Sequence, residues 1–138
     1  MEKAFLLPLF VMVLLTLAVW LRLYQTRLGE MKRRRINPQA VASSAQMATL
    51  EDTRAADNFR NLFELPVLFY AVMLMIIVSH SGDSVLLALA WAFVALRCLH
   101  SYIHCTYNRV KDRFTVYLFS ALALWAMWGV LAYRLLLG

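Results

Sequence analysis

Long apolar blocks separated by short polar breaks set the pattern of this chain. Apolar residues dominate from about Ala4 to Leu23, from Leu65 to Val78, from Val85 to Leu96 and from Phe114 to Leu135. A helix needs about 20 such residues to cross a bilayer. With the flanking turns added, four membrane helices are predicted at about 4–24, 57–79, 85–107 and 114–135. The second block is too short to span alone. The polar stretch before it, Asp57-Asn58-Phe59-Arg60-Asn61-Leu62-Phe63-Glu64, must therefore extend the helix backwards into the headgroup region. At about 100° per residue, Arg54, Asp57, Asn61 and Glu64 share an arc of roughly 80°, with Phe59, Leu62 and Phe63 on the other side. Pro66 lies inside this helix, and a local kink is expected there.

Composition strengthens the reading. Of 138 residues, 62% are hydrophobic, and the mean hydropathy is +0.63; soluble domains are usually about half apolar. One four-helix unit over residues 1–138 is expected, all-α and integral to the lipid bilayer. The first apolar run begins like a signal peptide but continues through Trp20 with no cleavage site, so it reads as a retained span. Cys98 and Cys105 lie two turns apart on one helix, about 10.5 Å of rise, too far to bridge each other.

The net charge of +6 does not point to nucleic acid, because the basic residues flank the membrane helices. The first connection, a polar segment expected from Gln25 to Arg54, carries Arg27, Lys32, Arg33, Arg34, Arg35 and Arg54. The third carries Arg109, Lys111 and Arg113, the second has neither Lys nor Arg, and the terminal side has Lys3 and Arg134. The positive-inside rule puts the first and third connections in the cytoplasm and both termini opposite.

Polar residues recur inside the helices, all toward the cytoplasmic half. Arg97, His100, Ser101, His104 and Asn108 lie within roughly 100° of one another on the third helix. Arg113, Tyr117 and Ser120 share a face of the fourth. Lipid cannot satisfy such groups, so they must face each other, another subunit or a wetted pocket. His100 and His104 have chelate spacing, but the nearby arginines would repel a dication and no His-Glu-x-x-His pattern is present; no metal is expected. Arginine forks suit a small anion, and a guanidinium or phenol beside a thiol favours the thiolate.

Asn61-x-x-Glu64, Arg97-x-x-His100-x-x-x-His104, Arg109, Arg113 and Tyr117, within a four-span plan, resemble the MAPEG family. The spacing is similar to that of the family's microsomal prostaglandin E synthases, in a member of bacterial type. The resemblance implies a homotrimer of four-helix subunits with glutathione bound between them. It assigns Arg113 and Tyr117 to catalysis, with Arg113 stabilising the thiolate. It places Asn61, Glu64 and His100 at glutathione, with Arg54, Asp57, Arg60 and His104 beside them. Asp57 stands where glutathione-binding members usually have arginine, His104 where they commonly have tyrosine, and Phe114 where a small hydroxyl residue follows the arginine. The implied function is a glutathione-dependent transferase or peroxidase acting on a small lipophilic electrophile. The alternative is a non-catalytic member that binds another small anion or serves a structural role. A transporter ranks behind both, because no internal repeat is present.

Overall fold

The computed structural model describes residues 2–137; Met1 and Gly138, the ends of the expected unit, lie outside them. Helices in chain order are α1 (Glu2–Arg34), α2 (Ser44–Met47), α3 (Arg54–Asn61), α4 (Leu65–Val78), α5 (Ser84–Cys105) and α6 (Val110–Leu136), with a 3₁₀ turn at Pro38–Val41 between the first two. Among the described residues, four helical segments are long and apolar enough to cross a membrane: Lys3–Arg34, Arg54–Val78, Ser84–Cys105 and Val110–Leu136. The chain is an all-α integral membrane protein.

The first helix outruns its apolar block by about ten residues, ending at Arg34 rather than near residue 24. Apart from Thr26 and Gly29, the extension is built from Gln, Arg, Leu, Glu, Met and Lys, all good helix formers, so most of its backbone favours the helix. Glu30 fixes it in place. Only 7% exposed, its carboxylate accepts from Arg34 Nη1 at 2.7 Å and from the Glu51 backbone N–H at 2.8 Å. The returning end of the connection is thereby tied to α1. The helix ends where Arg35 adopts a left-handed φ of 53°. Pro38 then disfavours a helical Asn37, and Asn37 instead caps the 3₁₀ turn, its side chain accepting from the Gln39 N–H at 3.0 Å.

The second span is broken rather than kinked. α3 stops at Asn61 and α4 starts at Leu65. Pro66 has no N–H to give Leu62, and its ring clashes with that carbonyl, so the ladder cannot continue through 62–64. Tighter bonds bridge the gap: Phe63 N–H to Arg60 O at 3.0 Å and Glu64 N–H to Asn61 O at 3.3 Å.

Phe5, Met12 and Val19 present one buried stripe of α1 to the core. Opposite them, Phe69 of α4 stacks on Phe93 of α5 with centroids 4.5 Å apart. Leu124, Met127 and Leu131 complete the core from α6, which makes its most extensive packing with α5. Leu7, Leu14, Leu122 and Trp125 are exposed on the outer faces, as expected where lipid is the solvent. At the terminal end, Gly82 lies against Phe5: a Cβ there would come within 2.6 Å of the ring. Asp83 beside it caps α5 by accepting from the Leu86 N–H at 2.9 Å, and accepts from Arg134 Nη2 at 2.5 Å. Arg134 Nη1 also donates to Ser81 O at 3.1 Å. The Arg134 guanidinium, followed by the Leu86 amide, holds the Asp83 carboxyl below the usual carboxylate range.

Candidate functional site

The break before Pro66 decides what the second span offers to its neighbours. It places Asn61 at the last turn of α3 and Glu64 at the lip of α4, where a continuous helix would have carried both along one stripe. From the hairpin side, α5 contributes His100 and α6 contributes Arg113 and Tyr117. These five residues, with Val110 and Phe114, line one cleft of about 240 Å³.

Its walls are held from behind. Arg113 Nη1 donates to Asn108 Oδ1 at 2.6 Å. Asn108 carries a φ of 49° in the α5–α6 turn, a conformation that asparagine tolerates well. Asn61 Nδ2 donates to Asp57 O at 3.3 Å. Ser120 Oγ donates to Tyr117 O at 2.7 Å. The His100 and Tyr117 rings lie 6.0 Å apart, and the His104 ring meets His100 edge-on at 5.6 Å. Beneath them is Arg97, 1% exposed, its guanidinium carbon 4.9 Å from the Tyr117 centroid and 5.4 Å from that of Phe93. Arg97 Nε and Nη2 and His104 Nδ1 are buried without a hydrogen-bond partner. Cation–π contact offsets about 2 kcal/mol of such a burial, short of the several kcal/mol that an enclosed ion costs.

Residues 5–133 match the family model for the MAPEG family. The chain belongs to the MAPEG family. No curated protein and no solved structure matches it. MAPEG proteins in general include glutathione-dependent transferases and isomerases.

Four of the residues that the MAPEG resemblance groups together lie apart from this cleft. Arg54 is spent on structure: it donates from Nε to Asp52 Oδ1 at 2.9 Å and from Nη2 to Asp52 Oδ2 at 3.0 Å. Its Nη1 reaches Thr106 O at 2.5 Å, tying α3 to the end of α5. That guanidinium holds the Asp52 carboxyl below its ordinary range. Asp57 and Arg60 line a different cleft, with Arg27 and the two serines at the start of α2, Ser43 and Ser44. His104 is buried behind His100 and is not part of the lining.

One buried residue carries more of the architecture than its place in the sequence suggests. Asn58 is fully buried; its Oδ1 accepts from Ser101 Oγ at 3.2 Å and its Nδ2 donates to Cys105 Sγ at 3.4 Å. This splits the polar face of α5. Ser101 and Cys105 turn to α3 while His100 turns to α6. The signal in the sequence was the pair Ser101 and Cys105, one turn apart, beside an asparagine on the buried side of α3.

Proposed function

We propose that this protein is a membrane-bound, glutathione-dependent transferase or peroxidase-type enzyme for a lipophilic electrophile, with glutathione held in the cleft of Asn61, Glu64, His100, Arg113 and Tyr117. One observation carries the reading: three of the four membrane spans bring these five residues to a single cleft in a MAPEG chain. Each has chemistry to offer. Arg113 presents a guanidinium to a carboxylate or a developing thiolate, and Tyr117 a phenol that donates to the same sulfur. Glu64 suits the ammonium of glutathione and Asn61 its peptide groups. Lowering the thiol pKa sends its proton to solvent and leaves sulfur free to attack the electrophile.

The size of the cleft bears on assembly. About 240 Å³ falls below the roughly 300–1,000 Å³ of pockets that enclose a drug-sized ligand. One subunit thus supplies one wall, in keeping with a homotrimer that binds glutathione between neighbours. Asp57 lines another cleft of the subunit, so its charge is not placed among the five. The charge distribution between connections supports a cytoplasmic location for the cleft. The motif spacing supports a position near the prostaglandin E synthases within the family.

A second reading, a non-catalytic member that binds a less anionic ligand, draws on Asp57 standing in place of the usual arginine. Calorimetry of the purified oligomer with glutathione separates the two. Saturable heat supports the enzyme. A folded oligomer that takes no thiol, even as Asp57→Arg, sinks it in favour of the second reading.

A further inference from the structure

Two of the residues that line the polar cleft carry no polar group, Val110 and Phe114. Every segment of glutathione bears hydrogen-bonding or charged groups, so these two side chains have little to offer it. They lie four residues apart on α6, about 40° round the helix from one another, and so share a face. Neither is buried in the subunit: Val110 is 65% exposed and Phe114 63%. Phe114 directly follows Arg113 and comes nearly one turn before Tyr117, the two residues whose chemistry is directed at sulfur. The same face continues along the span. Leu118, four residues and about 6 Å further on, is 46% exposed, and from there α6 continues across the membrane. Val110, Phe114 and Leu118 thus lead from the bilayer to the cleft. A lipophilic molecule leaving the bilayer along them meets the Phe114 ring beside Arg113.

The choice of side chain matters here. Contact with lipid is served as well by leucine as by phenylalanine. A phenyl ring adds a flat face with its own charge distribution, which favours an offset or edge-on aromatic partner over a flexible chain of equal area. The resemblance to glutathione-binding members puts a small hydroxyl residue at this position, so the ring is a feature of this chain.

On the basis of the glutathione reading, we propose that Phe114 is the specificity-determining residue for the electrophile, and that it selects a flat aromatic one, stacked on its ring with the reacting carbon turned to the sulfur. For an activated aryl halide the step is a substitution. Sulfur, its proton already released to solvent, forms a bond to the ring carbon; the carbon–halogen bond breaks and halide leaves with the electron pair. The test is steady-state kinetics of the purified oligomer with glutathione and either chlorodinitrobenzene or iodohexane, beside calorimetry of glutathione binding. Phe114→Leu, which keeps apolar bulk and loses the ring, should raise KM for chlorodinitrobenzene about fivefold, with less effect on kcat, and move KM for iodohexane by less than about twofold. Phe114→Ser should raise both KM values, because the apolar surface goes with the ring. Glutathione affinity should stay within about twofold of the parent's in both variants, as Phe114 suits none of its groups. If the variants do not assemble, competition on the wild type replaces them: naphthalene should inhibit turnover of chlorodinitrobenzene more strongly than decalin, its saturated counterpart. A wild type that binds no glutathione removes this proposal together with the enzyme reading. Glutathione binding with a ratio of KM values that Phe114→Leu leaves unchanged, or with decalin inhibiting as well as naphthalene, overturns this proposal alone.

Discussion

The two ends of the bundle treat their charged groups in opposite ways. At the terminal end, Asp83 and Arg134 meet at 2.5 Å, and each has a further backbone partner, the Leu86 amide and the Ser81 carbonyl. At the loop end, Arg97 is buried with two nitrogens unpaired, and His104 with one. The two ends differ in access to water as well: Asp83 and Arg134 are each one-third exposed, whereas Arg97 is enclosed. Groups that complete one another fix helices. Groups left incomplete beside a cleft have valence left for something else. Trp128 Nε1 is also buried without a partner, away from the cleft, but it is a neutral donor and costs far less than an ion.

The largest effect should come from Arg97. If its burial is a cost borne for the cleft, then Arg97→Met, which fills much of the same volume without charge, should stabilise the fold by about 1–4 kcal/mol. The midpoint of thermal unfolding in detergent measures this. A loss of stability would mean that the guanidinium holds the helices together, and the contrast between the two ends would fail. Next is Arg113, whose partner Asn108 lies in a turn. Arg113→Ala should weaken glutathione binding by about 10- to 100-fold, the roughly 1.5–3 kcal/mol of a charge-assisted hydrogen bond. The ultraviolet absorbance of bound thiolate should fall with it, while the unfolding midpoint stays near the parent's. Arg113→Lys should restore charge without the fork.

Asn58 tests the comparison from the other side, since it is a fully paired group at the loop end. Asn58→Ala strands the Ser101 hydroxyl in a buried site and should cost about 1–3 kcal/mol of stability. Glutathione affinity, measured on the folded fraction, should change little. A selective loss of binding instead would place Asn58 with the cleft.

What the sequence made legible follows the same division. The four spans were readable because lipid demands long apolar runs, and the residues of the cleft because charge inside such runs is conspicuous. Three features were hidden. The extension of α1 to Arg34 looked like loop because its residues are polar; only Glu30, docked under the Glu51 amide, shows why that helix persists. Pro66 announced a disturbance, but a kink and a break differ in whether Leu65 resumes the helix in register, which depends on packing against α5 and α6. Asp57, Asn61 and Glu64 looked like one stripe on a regular helix; Asp57 lines one cleft, while Asn61, one turn on along α3, and Glu64, beyond the break at 62–64, line another.

The smallest effect should come from the paired end. Asp83 and Arg134 are each one-third exposed, so water screens much of their attraction. The sign is nevertheless fixed. The Asp83 carboxyl is held below its ordinary value in the folded protein, first by the Arg134 guanidinium. The unfolded chain therefore takes up a proton at higher pH than the folded one. The contribution is complete above the ordinary aspartate pKa of about 3.9, and is lost as pH falls through the lower folded value. Asp83→Asn removes the titration while keeping an oxygen to cap α5. Its unfolding midpoint should lie slightly below the parent's at neutral pH, and the two should converge in acid. Arg134→Gln should show the same convergence, because either substitution dissolves the same pair. Should the gap for either variant instead widen on acidification, the terminal latch would not rest on this ion pair, and the paired end would lose its claim to be structural.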